Sequence, residues 1–218
     1  MYKQIIMAGG PIMWVIAACS FIAVLVFVEK WLQFHRAQVK VGELVNGLTN
    51  VLKRDGYVEA ITLCDNTPGP VARVLTAAIQ AYQNDDDVKQ AMDDASLTEL
   101  PRLEGRLNIL ATIAYITPLL GLLGTVLGLA ETFPATQATK GLYLAVSDGI
   151  RMALVTTAAG LCVAIPCHVA YNYLLSKVNS FCFDMEKASS EMCYFFKRLK
   201  EQRKNGGAPK GQEYETQD

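Results

Sequence analysis

The absence of charged side chains from three long windows constrains this chain more than any other feature. Residues 4–28, 107–130 and 152–176 contain no Asp, Glu, Lys or Arg. Because a bilayer core of ~30 Å is crossed by about 20 apolar helical residues, each window is long enough to span a membrane. We therefore predict an all-α membrane protein with three transmembrane helices, at residues 11–33, 107–130 and 150–176, and exclude a purely soluble domain.

The first window admits a second interpretation, a signal peptide. Only one basic residue, Lys3, precedes it, and its apolar run is longer than the usual secretory core of about 7–15 residues. The segment Ile16-Ala17-Ala18-Cys19 loosely resembles a lipoprotein cleavage site. Cleavage there would leave half of the apolar run in the lipid, so a retained helix is the favoured interpretation.

Lysine and arginine residues predict the orientation of the chain. Of the 20 present, 17 lie between residues 30 and 106 or from residue 177 onward. Basic residues concentrate on the cytoplasmic side of membrane proteins, so these segments are expected inside. The predicted cytoplasmic parts are a helical region at 34–106, a helix at 177–204 and a disordered tail at 205–218, and the predicted outer parts are the N-terminus at 1–10 and a short loop at 131–149.

Helical periodicity outside the spans predicts amphipathic helices. The run Asp85-Asp86-Asp87 fits the start of one such helix, where negative charge meets the helix dipole. We expect this helix to continue through Arg106 into the second span. The third span is expected to run on toward Lys204, with one apolar side formed by Phe181, Met185, Ala188, Met192 and Phe195.

Composition excludes several classes of function. The formal net charge is -1, without the basic surplus that is typical of nucleic-acid-binding proteins. The six cysteines form no CxxC pair, so we expect apolar packing roles for them, no metal site and no cofactor. No phosphate-binding glycine motif and no plausible Ser–His–acid set is present, so we expect the chain not to be an enzyme.

Small and polar residues form stripes on the second and third spans. In lipid, such stripes allow helix backbones to approach closely, and Gly124 to Gly128 is a GxxxG motif. Tight packing is one interpretation, and a hydrated path lined by the mid-span threonines, including Thr156, is the other. The stripes are Thr117, Gly121, Gly124, Thr125 and Gly128 on the second span and Ala153, Thr157, Gly160, Ala164 and His168 on the third.

The spans also carry two prolines but lack an acidic group. Pro118 and Pro166 each remove a backbone hydrogen bond, a loss that neighbouring helices can compensate in a membrane. An ion pathway usually needs a charged or titratable group at depth, and the only such group here is His168. A lone histidine is more often packed or hydrogen-bonded. If the protein moves protons, a partner must therefore supply the carboxylate.

Two segments carry a resemblance to a known family. Residues 118–129 read PLLGLLGTVLGL and residues 153–173 read ALVTTAAGLCVAIPCHVAYNY. Together they closely resemble the MotA/TolQ/ExbB proton channel family. The Gly9-Gly10-Pro11 start, the Val28-Glu29-Lys30 exit and the stretch from Cys64 to Leu75 are similar to the same family. Three spans fit its ExbB and TolQ members better than MotA.

The resemblance implies an assembly and a set of partners. It implies a homopentamer in the bacterial inner membrane, with the N-terminus periplasmic and the C-terminus cytoplasmic. The second and third helices would form a pore around an ExbD- or TolR-like dimer, whose transmembrane aspartate carries protons. Membrane lipids and a TonB-like protein are the other expected partners, and no nucleic acid is expected.

The resemblance also assigns roles to particular residues. Thr125 and Thr157 match the family's pore-facing threonines, and Thr156 is grouped with them. Gly121, Gly124, Gly128, Gly160, Pro118 and Pro166 are assigned to helix packing. Met152 stands where many relatives have a glutamate, so a pathway that depends on that glutamate is not carried over.

Three functions remain open at this point. The first is an ExbB-like subunit of a motor that is driven by the proton motive force and energises TonB-dependent outer-membrane transport. The second is a TolQ-like subunit for envelope maintenance. The third, from a different class, is a passive membrane scaffold.

Overall fold

The computed structural model describes residues 10–37, 41–130 and 142–204, and within those ranges the regular structure is helical throughout. The predicted N-terminal segment before residue 10, much of the predicted 131–149 loop and the predicted tail lie outside the described residues. The helices are α1 (Gly10–Ala37), α2 (Val41–Leu52), α3 (Tyr57–Asp65), α4 (Pro70–Gln83), α5 (Val88–Glu104), α6 (Leu107–Ala130) and α7 (Leu142–Lys204).

The chain divides into two compact units. Unit 1 comprises residues 1–34 and 104–177, and unit 2 comprises residues 35–103 and 178–218. Helices α1, α6 and α7 are each long and apolar enough to cross a membrane. The prediction of three spanning helices is thereby confirmed in length and composition.

Unit 1 exposes many large apolar side chains. Its exposed residues include Trp14, Phe21 and Leu119, each more than 60% accessible in the single chain. Exposed apolar area of this kind suits a surface that faces lipid or other protein chains. Toward the C-terminal end of α1, Glu29 forms an ion pair with Arg106, the residue that precedes α6.

Unit 2 has the core of a water-soluble helical domain. Helices α2, α3, α4 and α5 and the last turns of α7 each contribute buried apolar side chains. The predicted α7 face is buried at Phe181, Met185, Ala188 and Met192, but its last member is Phe196, since Phe195 is only half-buried. The Phe196 ring stacks on Tyr82 with centroids 4.4 Å apart.

Local signals set the helix boundaries in unit 2. Gly69 has a φ of 139°, a conformation that glycine adopts readily, and Pro70 then occupies the first turn of α4. The Oδ1 atom of Asp87 accepts hydrogen bonds from the backbone N–H groups of Lys89 and Gln90, at 2.9 and 3.4 Å. Asp87 is therefore the capping residue of the predicted acidic run.

Helix α5 does not continue into the second span as predicted. It ends at Glu104, and α6 begins at Leu107 after a turn at Gly105 and Arg106. Pro101 lies inside the last turn of α5, and glycine is a poor helix former. The apolar pattern continues from α5 into α6, but Pro101 and Gly105 disfavour a continuous helix there.

A buried carboxylate lies in unit 2. The Glu99 side chain is 6% accessible, and its two oxygens accept hydrogen bonds from Arg73 on α4 and Arg102 on α5, at 2.5 and 2.6 Å. A buried charge is tolerated when it is paired in this way. The arrangement joins α4 to α5 and is structural.

Candidate functional site

Helices α6 and α7 approach so closely in unit 1 that glycines form the contact. A Cβ atom placed on Gly124 would lie 2.5 Å from Oγ1 of Thr156, and one on Gly160 would lie 2.6 Å from the carbonyl oxygen of Thr117. Larger residues therefore do not fit at this separation. We call this contact the glycine seam, and it comprises Thr117, Gly121, Gly124 and Gly128 on α6 and Gly149, Ala153, Thr156 and Gly160 on α7.

The close approach extends along several turns of both helices. A Cβ atom on Gly121 would lie 3.1 Å from the carbonyl oxygen of Thr156, and one on Gly128 would lie 3.0 Å from that of Gly149. All four predicted packing glycines thus lie in the seam. The resulting contact is largely backbone against backbone, which gains dispersion energy without large side chains.

Two threonines are enclosed within the seam. Thr117 and Thr156 are completely buried. The Thr117 hydroxyl donates to the carbonyl oxygen of Ile113 at 2.5 Å, and the Thr156 hydroxyl lies 3.0 Å from the carbonyl oxygens of Met152 and Ala153. These local bonds satisfy the hydroxyls inside an apolar contact.

Thr125 and Thr157 lie at the edge of the seam and are only half-buried. The Thr125 hydroxyl donates to the carbonyl oxygen of Leu122 at 2.6 Å. The Thr157 hydroxyl lies 3.0 Å from the carbonyl oxygen of Ala153 and 3.5 Å from that of Gly121 across the seam. A hydroxyl that donates to a carbonyl keeps its lone pairs. Both threonines can therefore still accept a hydrogen bond from water or from a partner.

The buried face of α7 is rotated slightly from the predicted stripe. The structure buries Ala153, Thr156, Gly160, Ala164 and Cys167, whereas the predicted stripe contained Thr157 and His168. Neighbouring positions on a helix differ by about 100°, so two adjacent threonines cannot both lie at the centre of one face. His168 is exposed in the single chain, unlike the packed histidine that the sequence suggested.

The two prolines do not share one environment. Pro118 is half-buried and lies one residue after the buried Thr117, beside the seam. Pro166 is exposed on α7 and is not brought to the seam. Helix α6 continues through Pro118, and helix α7 continues through Pro166.

Comparison with known proteins assigns these helices to a family. The model of the MotA/TolQ/ExbB proton channel family matches residues 66–187, which include the whole of α6 and the spanning part of α7. The chain belongs to this family. The glycine seam lies entirely inside the region that the family model matches.

Several curated proteins are similar to this member of the family. A putative biopolymer transport protein ExbB homolog from Methanothermobacter thermautotrophicus is 29% identical over 79% of the chain and 62% of its own length. The chain therefore spans less than two thirds of that relative. A putative ExbB-like 3 protein from Synechocystis is 32% identical over 73% of the chain and 78% of its own length. The Tol-Pal system protein TolQ from Haemophilus influenzae is 44% identical over 42% of the chain and 40% of its own length.

The Met152 side chain packs against the start of α1. A Cβ atom on Gly10 would lie 2.6 Å from Cε of Met152, so the thioether side chain covers the start of α1. Gly10 has a positive φ of 62°, which glycine adopts without strain. Sequence reasoning missed this contact, because Gly10 and Met152 are far apart in the chain and no periodic pattern joins them.

Proposed function

We propose that the chain is an ExbB-like inner-membrane subunit of a motor that is driven by the proton motive force. Five copies would form a pore around an ExbD-like dimer and energise TonB-dependent outer-membrane transport. Family membership and the similarity to ExbB relatives support this proposal. The observation that carries it is the placement of two half-buried threonines at the edge of a glycine seam.

The proton-binding carboxylate belongs to the partner in this proposal. Residues 107–130 and 152–176 contain no Asp or Glu. A chain that conducts protons between these helices therefore needs an acid from elsewhere. A single-span ExbD- or TolR-like subunit with a transmembrane aspartate would supply it.

Thr125 and Thr157 are the proposed pathway residues of this chain. Their free lone pairs can hold water next to the partner's aspartate, and their partial exposure leaves them accessible. Thr156 was grouped with them, but its burial in the seam gives it a supporting role within the proposal. The orientation follows the basic residues, with the N-terminus periplasmic and the C-terminus cytoplasmic.

Threonine-to-valine substitutions test the pathway. Thr125→Val and Thr157→Val each remove a hydroxyl and keep the branched shape of the side chain. We expect both variants to assemble with the partner and to lose proton flux in liposomes that contain the complex. Thr112→Val is the matched control, because Thr112 is an exposed α6 residue whose hydroxyl bonds within its own helix. Full flux in both pathway variants would show that the threonines do not line the pathway.

A TolQ-like role in envelope maintenance is the alternative within the family. The similarity to TolQ from Haemophilus influenzae, 44% identical over 42% of the chain, supports it. The two roles differ in partners, so deletion of the gene distinguishes them. Loss of energised uptake supports the ExbB-like role, whereas a division or envelope defect supports the TolQ-like role. A passive scaffold instead predicts that the threonine substitutions have no effect.

A further inference from the structure

His168 presents an ionisable side chain on the exposed surface of a membrane span. It lies on α7 and is exposed in the single chain. Its ring meets Tyr115 of α6 edge-on, with centroids 6.1 Å apart and planes at 77°. Tyr115 is itself 66% accessible, so the pair lies outside the glycine seam.

The depth of His168 makes exposure to lipid unfavourable. It precedes Lys177, where charged residues resume, by nine positions. At a helix rise of 1.5 Å, this separation is roughly 13 Å, well inside a hydrocarbon core of ~30 Å. Ionisable residues at such depth generally face protein or a water-filled cavity and mark ion pathways.

His168 shares a helix face with Thr157. The two residues are eleven positions apart, which is about three turns plus 20°. They are therefore aligned along α7 and separated by roughly 16 Å along its axis. Asn172, also exposed, extends the same polar line by one turn toward Lys177.

We propose that His168 is a proton-binding residue on the cytoplasmic half of the conduction pathway. This inference rests on the proposed function, because the pathway that it extends is the one that contains Thr157. An imidazole nitrogen takes a proton from a hydronium ion in the pathway and leaves a neutral water molecule, and the imidazolium then releases a proton to a water molecule on the cytoplasmic side. The net result is transfer of one proton, with the imidazole restored.

A phenol side chain lies beside His168. Tyr115 is the titratable side chain that faces it from α6. Imidazole side chains generally serve as proton shuttles in proteins.

Magnetic resonance on the complex tests the protonation of His168 directly. The chain has two histidines, so His35→Gln leaves His168 as its only one. With 15N-histidine in this chain alone, we expect the assembled complex in bilayers to show a neutral-to-imidazolium change as the pH is lowered. Exchange of the imidazole proton with water should accompany it. A signal that stays neutral and exchanges no proton with water would overturn the proposal.

Proton flux distinguishes failure of this inference from failure of the proposed function. In liposomes that contain the complex, His168→Gln should lower the flux several-fold and abolish its dependence on cytoplasmic-side pH near neutrality. His35→Gln is the matched control and should retain the wild-type rate and profile. Wild-type rate and pH profile in His168→Gln, with flux still lost in Thr157→Val, would reject His168 and leave the proposed function standing. Absence of flux in the wild-type complex would reject both.

Discussion

The two units of this chain pack their helices by opposite means. In unit 1, α6 and α7 meet through glycines, and many large apolar side chains are exposed. In unit 2, the helices meet through large side chains such as Leu48, Leu75 and Met192, all completely buried. One chain thus contains both a helix contact formed by glycines and a core formed by large apolar side chains.

The solvent around each unit explains the difference. Water drives large apolar side chains together, so unit 2 gains stability from the area that it buries. Lipid tails provide no such drive between helices, so unit 1 depends on close backbone contact. The proposed threonine pathway lies beside the glycine contact, where the backbone positions the hydroxyls closely. The contrast therefore predicts that the units respond differently to similar substitutions.

The largest expected effect is at the glycine seam. Gly124→Leu places a side chain where even a Cβ atom would lie 2.5 Å from Thr156, so α6 and α7 must separate. We expect the oligomer to be lost, as measured by native mass spectrometry of the detergent-purified protein. Gly42→Leu is the control, since nothing lies within 4 Å of a Cβ atom at Gly42. A normal oligomer in Gly124→Leu would contradict the account of the seam.

A smaller effect is expected in the core of unit 2. Leu75→Ala removes a completely buried side chain and should destabilise the unit by about 2–5 kcal/mol. Hydrogen exchange of the unit 2 amides measures this loss. Leu97→Ala on α5, where the side chain is 68% accessible, should change stability by less than about 0.5 kcal/mol. Equal effects of the two substitutions would show that unit 2 is not packed in this way.

The smallest effect concerns the dependence of unit 2 stability on pH. Burial raises the pKa of the Cys64 thiol from 9.0 to about 11, and nearby Asp65 adds to the shift. Between these values the unfolded thiol loses its proton before the folded one, so this residue destabilises the folded state as pH rises above 9.0. The wild type should therefore lose more stability than Cys64→Ala over that range in denaturant titrations. Parallel pH profiles would contradict the burial of a neutral thiol.

The sequence predicts the spans well because a long uncharged window has few alternative structures. Between Lys177 and Lys204 the sequence contains no glycine or proline. This composition agrees with the uninterrupted α7 helix. The break at Gly105 and Arg106 was missed, because apolar periodicity continues across it. Local backbone preference, and not hydrophobicity, ends α5 there.

The candidate site was predicted only in part. A stripe of glycines predicts close packing but does not name the residues on the facing helix. Thr156 and Thr157 are adjacent and chemically identical, so periodicity alone does not determine which one is enclosed. The contact between Gly10 and Met152 joins distant parts of unit 1 and leaves no periodic signal.

The central proposal is that this chain forms a pentameric pore around a partner that supplies the proton-binding acid. The most direct test is to co-express it with the single-span, ExbD-like subunit of its own genome and to weigh the detergent complex by native mass spectrometry. We expect the complex to have the mass of five copies of this chain with two copies of the partner. A stable oligomer that never takes up the partner would contradict it and favour the passive scaffold.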